Sequence, residues 1–285
     1  MPSGASGFGP VSVLVLVLLA LFVATAIWVS LNPRLLSAGW GRIRGSAAAV
    51  WVDRHLGDFG ATLARRFSVS VAAGLALLAG FVVVAGLAAA FTEILEDVLV
   101  GDGINGIDEP AAGWLAGHRD VWLTTALKGV TVLGNSVVVA AVAVLVTAVV
   151  VWRSGTWLPA VLGLIGAGGI GLVVVTAKTV VGRSRPASPF AVVSENGYSF
   201  PSGHATGTAA VALLCAWMRS RWVIGSWPGR VAVWSLAVGV TGAVGFSRVN
   251  LGVHYVSDVL AGRLLGAAWA GAMDDPLRLT IEGGK

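Results

Sequence analysis

Seven stretches of this chain are apolar enough to cross a bilayer, and all but one are long enough: roughly 11–31, 69–91, 136–152, 157–177, 205–218, 231–247 and 255–272. A crossing helix needs about 17–25 residues. Lipid accepts only segments whose backbone hydrogen bonds close internally. These runs fix the fold class as all-α, a polytopic membrane helix bundle. The fifth stretch is short, so its helix is expected to draw in part of the polar turn before it. Composition agrees: 56% of the 285 residues are hydrophobic and 12% are charged, against about 25% charged in soluble domains.

The first stretch raises a choice. Ala24-Thr25-Ala26 has the small residues of a signal-peptide cleavage site, yet no Lys or Arg precedes the apolar run, as a signal peptide would require. Residues 11–31 are therefore read as a retained span. Charge in the linkers sets direction. Segment 32–68 holds six arginines against Asp53 and Asp58, while segment 92–135 holds seven acids against Arg119 and Lys128. Arg153, Arg219, Arg221 and Arg230 flank later spans. Positive loops stay in the cytoplasm, so 32–68, 153–156 and 219–230 are expected inside. The N-terminus and segments 92–135, 178–204 and 248–254 are then expected outside. SAAAVWVDRHLGDFGATLARRF, within 32–68, has the mixed character of an interfacial helix, and segment 104–133 suggests another on the outer side.

The net charge of +5 lies between spans rather than in a patch interleaved with aromatics, so no nucleic-acid partner is expected. The single cysteine, Cys215, allows no internal disulfide and reads as a packing residue. GAGGIG at 166–171 matches a dinucleotide fingerprint, but it sits inside an apolar run with no strand before it. Gly163, Ala167 and Gly171 instead fall four apart, as close helix packing in lipid requires. The acids around Asp102 and Asp108 miss calcium-loop spacing and read as a solvated outer face.

Three polar clusters remain: KTVVGRSRP with Lys178, Arg183 and Arg185; SFPSGHATGTA with Ser202, Gly203 and His204; and SRVNLGVHYVSD with Arg248, His254 and Asp258. The topology above brings all of them to one membrane face. Lys178, Arg185 and Arg248 have only Glu195 and Asp258 as nearby acids. Arginine forks match phosphate oxygens. The Ser202 hydroxyl and the N–H groups around Gly203, at a helix N-terminus, add anion donors. Gly203 also lets backbone approach a ligand. His254 and Asp258 are i and i+4 on one helix face, so the carboxylate can fix the imidazole tautomer and free the other nitrogen for attack. His204, from another helix, can protonate the leaving oxygen. Arg183 reads equally well as a surface charge. Arg263 lies nine residues past His254, about 180° around the helix and roughly 13 Å deeper. It is expected to miss the phosphate, at an insertion cost of about 2.5–3.5 kcal/mol, and to snorkel or meet a buried carbonyl.

The three clusters resemble the type 2 phosphatidic acid phosphatase superfamily, whose pattern is KxxxxxxRP, PSGH and SRxxxxxHxxxD. Lys178 to Arg185-Pro186, Pro201 to His204, and Ser247-Arg248 to His254 and Asp258 keep every spacing. The resemblance implies a six-helix phosphatase core over 69–272, preceded by an N-terminal span and basic linker at 1–68 and followed by a cytoplasmic tail at 273–285. It implies hydrolysis of a phosphoester without metal or cofactor, with His254 as the nucleophile that becomes a phosphohistidine and Asp258 orienting it. His204 is then acid and later base, and Lys178, Arg185, Ser202, Gly203 and Arg248 form the phosphate cradle. The family also includes vanadium haloperoxidases, largely soluble, against which the apolar spans argue. The expected enzyme is a lipid phosphatase of a bacterial inner membrane, its site facing outside. Undecaprenyl diphosphate, phosphatidate and phosphatidylglycerol phosphate are the candidate substrates. The alternatives are a phosphatase or phosphotransferase for a small soluble phosphoester, and a non-catalytic lipid-phosphate binder or transporter. The sequence carries no signal for oligomeric state.

Overall fold

The computed structural model describes residues 8–34, 71–186 and 190–282, with side chains for 8–34, 78–186 and 190–273. The interfacial helix expected within 32–68 lies outside the described residues. Those described form nine helices and no strand. They are α1 (Pro10–Leu31), α2 (Val71–Val100), α3 (Asn105–Gly117), α4 (Val121–Thr131), α5 (Ser136–Ser154), α6 (Leu158–Val181), α7 (Gly203–Trp222), α8 (Trp227–Asn250) and α9 (Val256–Glu282). Each of the seven apolar stretches falls on its own helix. α2 runs past residue 91 to Val100, and α9 continues to Glu282. Segment 104–133 folds as α3 and α4, two short helices rather than one.

The short fifth stretch has a physical reason. α7 is the central helix, packed against α5, α6, α8 and α9. Half of its 20 residues are buried, among them Thr206, Thr208, Cys215 and Met218. A helix shielded by protein needs no long lipid-facing run, and its threonines and small residues suit close helix packing. The outer helices instead present Leu78, Phe81, Val82, Val144, Leu172 and Leu236 on exposed faces.

Close approach between α7 and α9 sets the site. A Cβ on Gly262 would stand 2.7 Å from Thr206 Oγ1, and one on Gly266 would stand 2.5 Å from Thr206 O and 2.8 Å from Ala209 Cβ. This small-xxx-small pair lets two backbones touch. Gly266→Val is expected to force α9 off α7, costing about 1–3 kcal/mol as overpacking does. A lowered thermal midpoint in detergent, with activity lost in step, checks it.

The glycines of α6 behave differently from their sequence spacing. Ile165–Gly169 form one π-helical turn, which shifts the helix phase. The positions in close contact are then Gly163 on Thr147, Gly166 on Leu214 and Gly169 on Trp269, while a Cβ on Gly171 would meet nothing. Trp269 Nε1 donates to Gly166 O at 3.0 Å. The run is a packing surface and not a cofactor loop.

α1 lies along α8, with Phe22 against Gly239. At one end the Gly9 N–H reaches both carboxylate oxygens of Asp120 at 3.1 Å, and the Ser12 hydroxyl bonds the same carboxylate. At the other end Trp227 Nε1 donates to Val29 O at 3.0 Å. Arg263 also finds partners in the bundle. Its guanidinium donates to Gly242 O at 2.7 Å and Thr241 O at 3.2 Å, over the bare face of Gly245. Of the two expectations for it, the buried carbonyl holds.

Candidate active site

Helix ends deliver the three polar clusters to one end of the bundle. α6 stops at Gly182, whose left-handed backbone (φ 64°) returns its N–H to Lys178 O at 3.0 Å. Lys178 is thus in the last turn, and the chain leaves the helix carrying Arg183 and Arg185. α7 opens at Gly203, with Ser202 as its N-cap residue. Arg248 sits in the last turn of α8 and Asp258 in the first turn of α9.

His254 lies in the turn between α8 and α9. The N–H groups of Val253 and His254 both donate to Arg248 O, at 3.2 and 3.3 Å. Gly252 (φ 72°) packs its bare Cα against the carbonyl of Phe190, and Val192 N donates to Leu251 O at 3.0 Å. Arg119 binds both strands of this contact, donating to Asn250 O and Phe190 O at 2.6 Å each. The turn carrying His254 and the loop before α7 are thereby one unit.

The hydrogen bonds of His254 identify its tautomer. Arg185 Nη1 lies 3.2 Å from His254 Nε2, and a guanidinium can only donate. Nε2 therefore presents its lone pair, and Nδ1 carries the proton. Nδ1 faces Asp258 Oδ2 and Ser199 Oγ, each at 3.3 Å. Burial pushes the His254 imidazole down to about 4, the Asp258 carboxylate opposing and the Arg185 and Arg248 charges assisting. The ring is neutral at pH 7, as a nitrogen nucleophile must be.

Asp258 is fully buried and fully bonded. Arg183 Nη1 donates to Oδ1 at 2.7 Å, the Tyr255 N–H donates to Oδ2 at 2.9 Å, and the Ser199 hydroxyl donates to Oδ2. Its own carbonyl accepts the Ser202 N–H at 3.0 Å, tying the first turn of α9 to the start of α7.

The cations line the same place. Arg185 is held by the carbonyls of Val253 (2.8 Å), Gly197 (3.0 Å) and Asn196 (3.1 Å). Lys178 Nζ donates to Tyr198 O, and its Cε lies 3.8 Å from where a Cβ on Gly203 would stand. Arg248 is buried, bonding Thr131 Oγ1 at 2.7 Å and Glu195 Oε1 at 2.5 Å. Burial raises the Glu195 carboxyl, but the hydrogen bond and charge of Arg248 outweigh it and hold the group below its ordinary value. Ser202 Oγ is buried and bonds nothing among the described residues. His204 stands at the α7 N-terminus beside Gly134, where a Cβ would come within 3.0 Å of its ring.

The structure thus brings together every residue singled out from sequence: Lys178, Arg185, Ser202, Gly203, His204, Arg248, His254 and Asp258. It also corrects one reading and decides another. Asp108 is not on a solvated face; it is 1% exposed and accepts from Arg183 at 2.7 Å, from the Ser257 N–H at 3.0 Å and from the Ser257 hydroxyl. Arg183 is not a surface charge, since it joins Asp108 to Asp258. Its guanidinium also lies 4.4 Å over the Tyr255 ring. Ser199 and Thr131 were missed because a lone hydroxyl carries no spacing signal.

Comparison with known proteins gives the family. The PAP2 superfamily pattern matches residues 156–273. Phosphatidylglycerophosphatase B of Bacillus subtilis (strain 168) is 32% identical over 177 residues, 62% of this chain and 86% of that protein. Decaprenylphosphoryl-5-phosphoribose phosphatase of Mycobacterium tuberculosis (strain ATCC 25618 / H37Rv) is 36% identical over 125 residues, 43% of this chain and 62% of that protein. Among solved structures, a transmembrane PAP2-type phosphatidylglycerolphosphate phosphatase from Bacillus subtilis superposes with a TM-score of 0.62 at 27% identity, covering 71% of this chain and 97% of that chain. The apolar helices and these relatives together define a membrane phosphatase. The chain belongs to the PAP2 superfamily.

Proposed function

We propose that the protein hydrolyses a lipid phosphate or diphosphate through a phosphohistidine at His254. The observation that carries the reading is the hydrogen bond from Arg185 to His254 Nε2 at 3.2 Å. It aims the nucleophilic lone pair at the same guanidinium that would hold a phosphate oxygen. The buried, unbonded Ser202 hydroxyl and the unbonded Nε of Arg248 supply further donors.

In the first step Nε2 attacks phosphorus, a P–N bond forms, and the bond from phosphorus to the leaving oxygen breaks. His204 gives that oxygen a proton. Asp258 meanwhile stabilises the positive charge arising on the imidazole. In the second step His204 takes a proton from water, whose oxygen attacks phosphorus as the P–N bond breaks and His254 returns to neutral. Lys178, Arg185 and Arg248 offset the phosphoryl charge throughout, and this is why no metal is invoked.

A lipid substrate follows from position. The cradle lies at the ends of bundle helices, where a phosphate can bind while its acyl or prenyl tail stays in the bilayer. The two named relatives both act on lipid-linked phosphates by their names. The charge alternation of the linkers favours the outer face of a bacterial inner membrane. The test is phosphate release by purified protein in detergent. It uses undecaprenyl diphosphate, phosphatidate, phosphatidylglycerol phosphate and a soluble phosphoester, each with and without EDTA. Release from a lipid, unchanged by EDTA, is expected. Release from the soluble ester alone contradicts the lipid assignment, inhibition by EDTA contradicts the metal-free step, and binding without release favours a lipid-phosphate carrier.

A further inference from the structure

We infer that Arg183 and Asp108 are positioning residues of the active site, a buried relay through which helix α3 holds the carboxylate that orients the nucleophile. The inference rests on the assignment of His254 and Asp258 above. It goes beyond that assignment because Asp108 lies upstream of the segment matched by the family pattern.

The geometry is that of a built network. Arg183 uses one end of its fork on Asp258 Oδ1 and Ser257 Oγ, both at 2.7 Å. The other end meets Asp108 Oδ2 at 2.7 Å and the side-chain carbonyl of Asn105. Asp108 in turn caps the start of α9, accepting the Ser257 N–H at 3.0 Å. Side-chain exposure is 13% for Arg183, 1% for Asp108 and 0% for Asp258. Burying two carboxylates against one guanidinium is unfavourable unless every bond is made. Here each charged oxygen has a donor. A plain surface helix gains nothing from such an arrangement at this depth, whereas a carboxylate that must hold one rotamer does.

The electrostatic consequence has a sign. His254 is faced by Asp258 from α9, by Arg185 from the segment after α6 and by Arg248 from α8. Asp258 is faced in addition by Lys178 and Arg183, and Arg183 by Asp108. Arg183 therefore tempers the pull of Asp258 on the imidazole proton. Removing it leaves Asp258 with more effective charge, which favours imidazolium. The acid limb of kcat/KM, where activity falls as His254 takes up a proton, moves to higher pH.

The experiment compares wild type with Arg183→Gln, Arg183→Lys and the double variant Arg183→Gln/Asp108→Asn, using the substrate that wild type hydrolyses best. Thermal unfolding in detergent is followed alongside. The double variant removes both buried charges together, so no carboxylate is orphaned if Arg183→Gln alone fails to fold. We expect kcat to fall about 10–100-fold, as it does when outer partners of a reacting group are lost, with KM within about threefold. The acid limb should rise by about one pH unit in Arg183→Gln and by less in the double variant, where loss of the Asp108 charge partly offsets loss of the guanidinium. Arg183→Lys keeps the charge and should leave the limb in place while losing the fork. Folded variants with wild-type kcat and an unmoved limb overturn the inference, as does a loss confined to KM. A wild type that releases no phosphate, or a folded His254→Ala that still turns over, overturns the nucleophile assignment instead.

Discussion

His254→Ala is expected to abolish phosphate release while leaving the fold in place. The loss should be at least about 10³-fold, because the covalent step has no substitute nucleophile. Its structural effect should be small. The ring accepts from Arg185, and its Nδ1 bonds to Asp258 and Ser199 are long at 3.3 Å. Asp258 keeps Arg183, Tyr255 N and the Ser199 hydroxyl as donors when the ring is gone. Substrate binding should persist, since Lys178, Arg185 and Arg248 do not depend on the imidazole for position. Arg185 is held by three backbone carbonyls. Kinetics beside a thermal melt in detergent check this. Turnover within tenfold of wild type would remove His254 from the reaction.

His204→Ala should cost about 10²–10⁴-fold with an alkyl phosphate, the range for loss of a positioned acid. Its signature is dependence on the leaving group. An aryl phosphate whose oxygen leaves without a proton should transfer its phosphoryl group at close to the wild-type rate. Release of free phosphate should still be slow, because the same imidazole activates water in the second step. A burst of phenol followed by slow turnover is therefore expected. Equal loss for both leaving groups in both steps would assign His204 to binding instead.

Much of this was legible in the chain because a membrane imposes strong rules. Apolar runs marked seven of the nine described helices, and the run that looked short, 205–218, is the start and middle of α7, half of whose residues are buried in the bundle. The clusters at Lys178–Arg185, Ser202–His204 and Arg248–Asp258 converge as their shared end of the bundle required. Contacts that depend on tertiary register were not legible. The GxxxG pair in use is Gly262 and Gly266, and in α6 Gly163 packs closely on Thr147 while Gly171 meets nothing, because one π turn between them moves the later glycines off their sequence spacing. Asp108 was read with its acidic neighbours as solvated, and only the fold shows α3 turned so that this one carboxylate meets Arg183 and the start of α9. Helix geometry placed Arg263 away from the three clusters, and its guanidinium meets backbone carbonyls on α8.

The central claim is a covalent intermediate on one nitrogen, and the most direct measurement is to trap it. His204→Ala protein would be mixed with an aryl phosphate labelled in its phosphoryl group, quenched in alkali and digested for mass spectrometry. Phosphorus on the peptide containing His254, stable to base, lost in mild acid and missing from His204→Ala/His254→Ala, is the predicted result. A label on another residue, or none while wild type turns over and the variant is folded, would contradict the phosphohistidine mechanism.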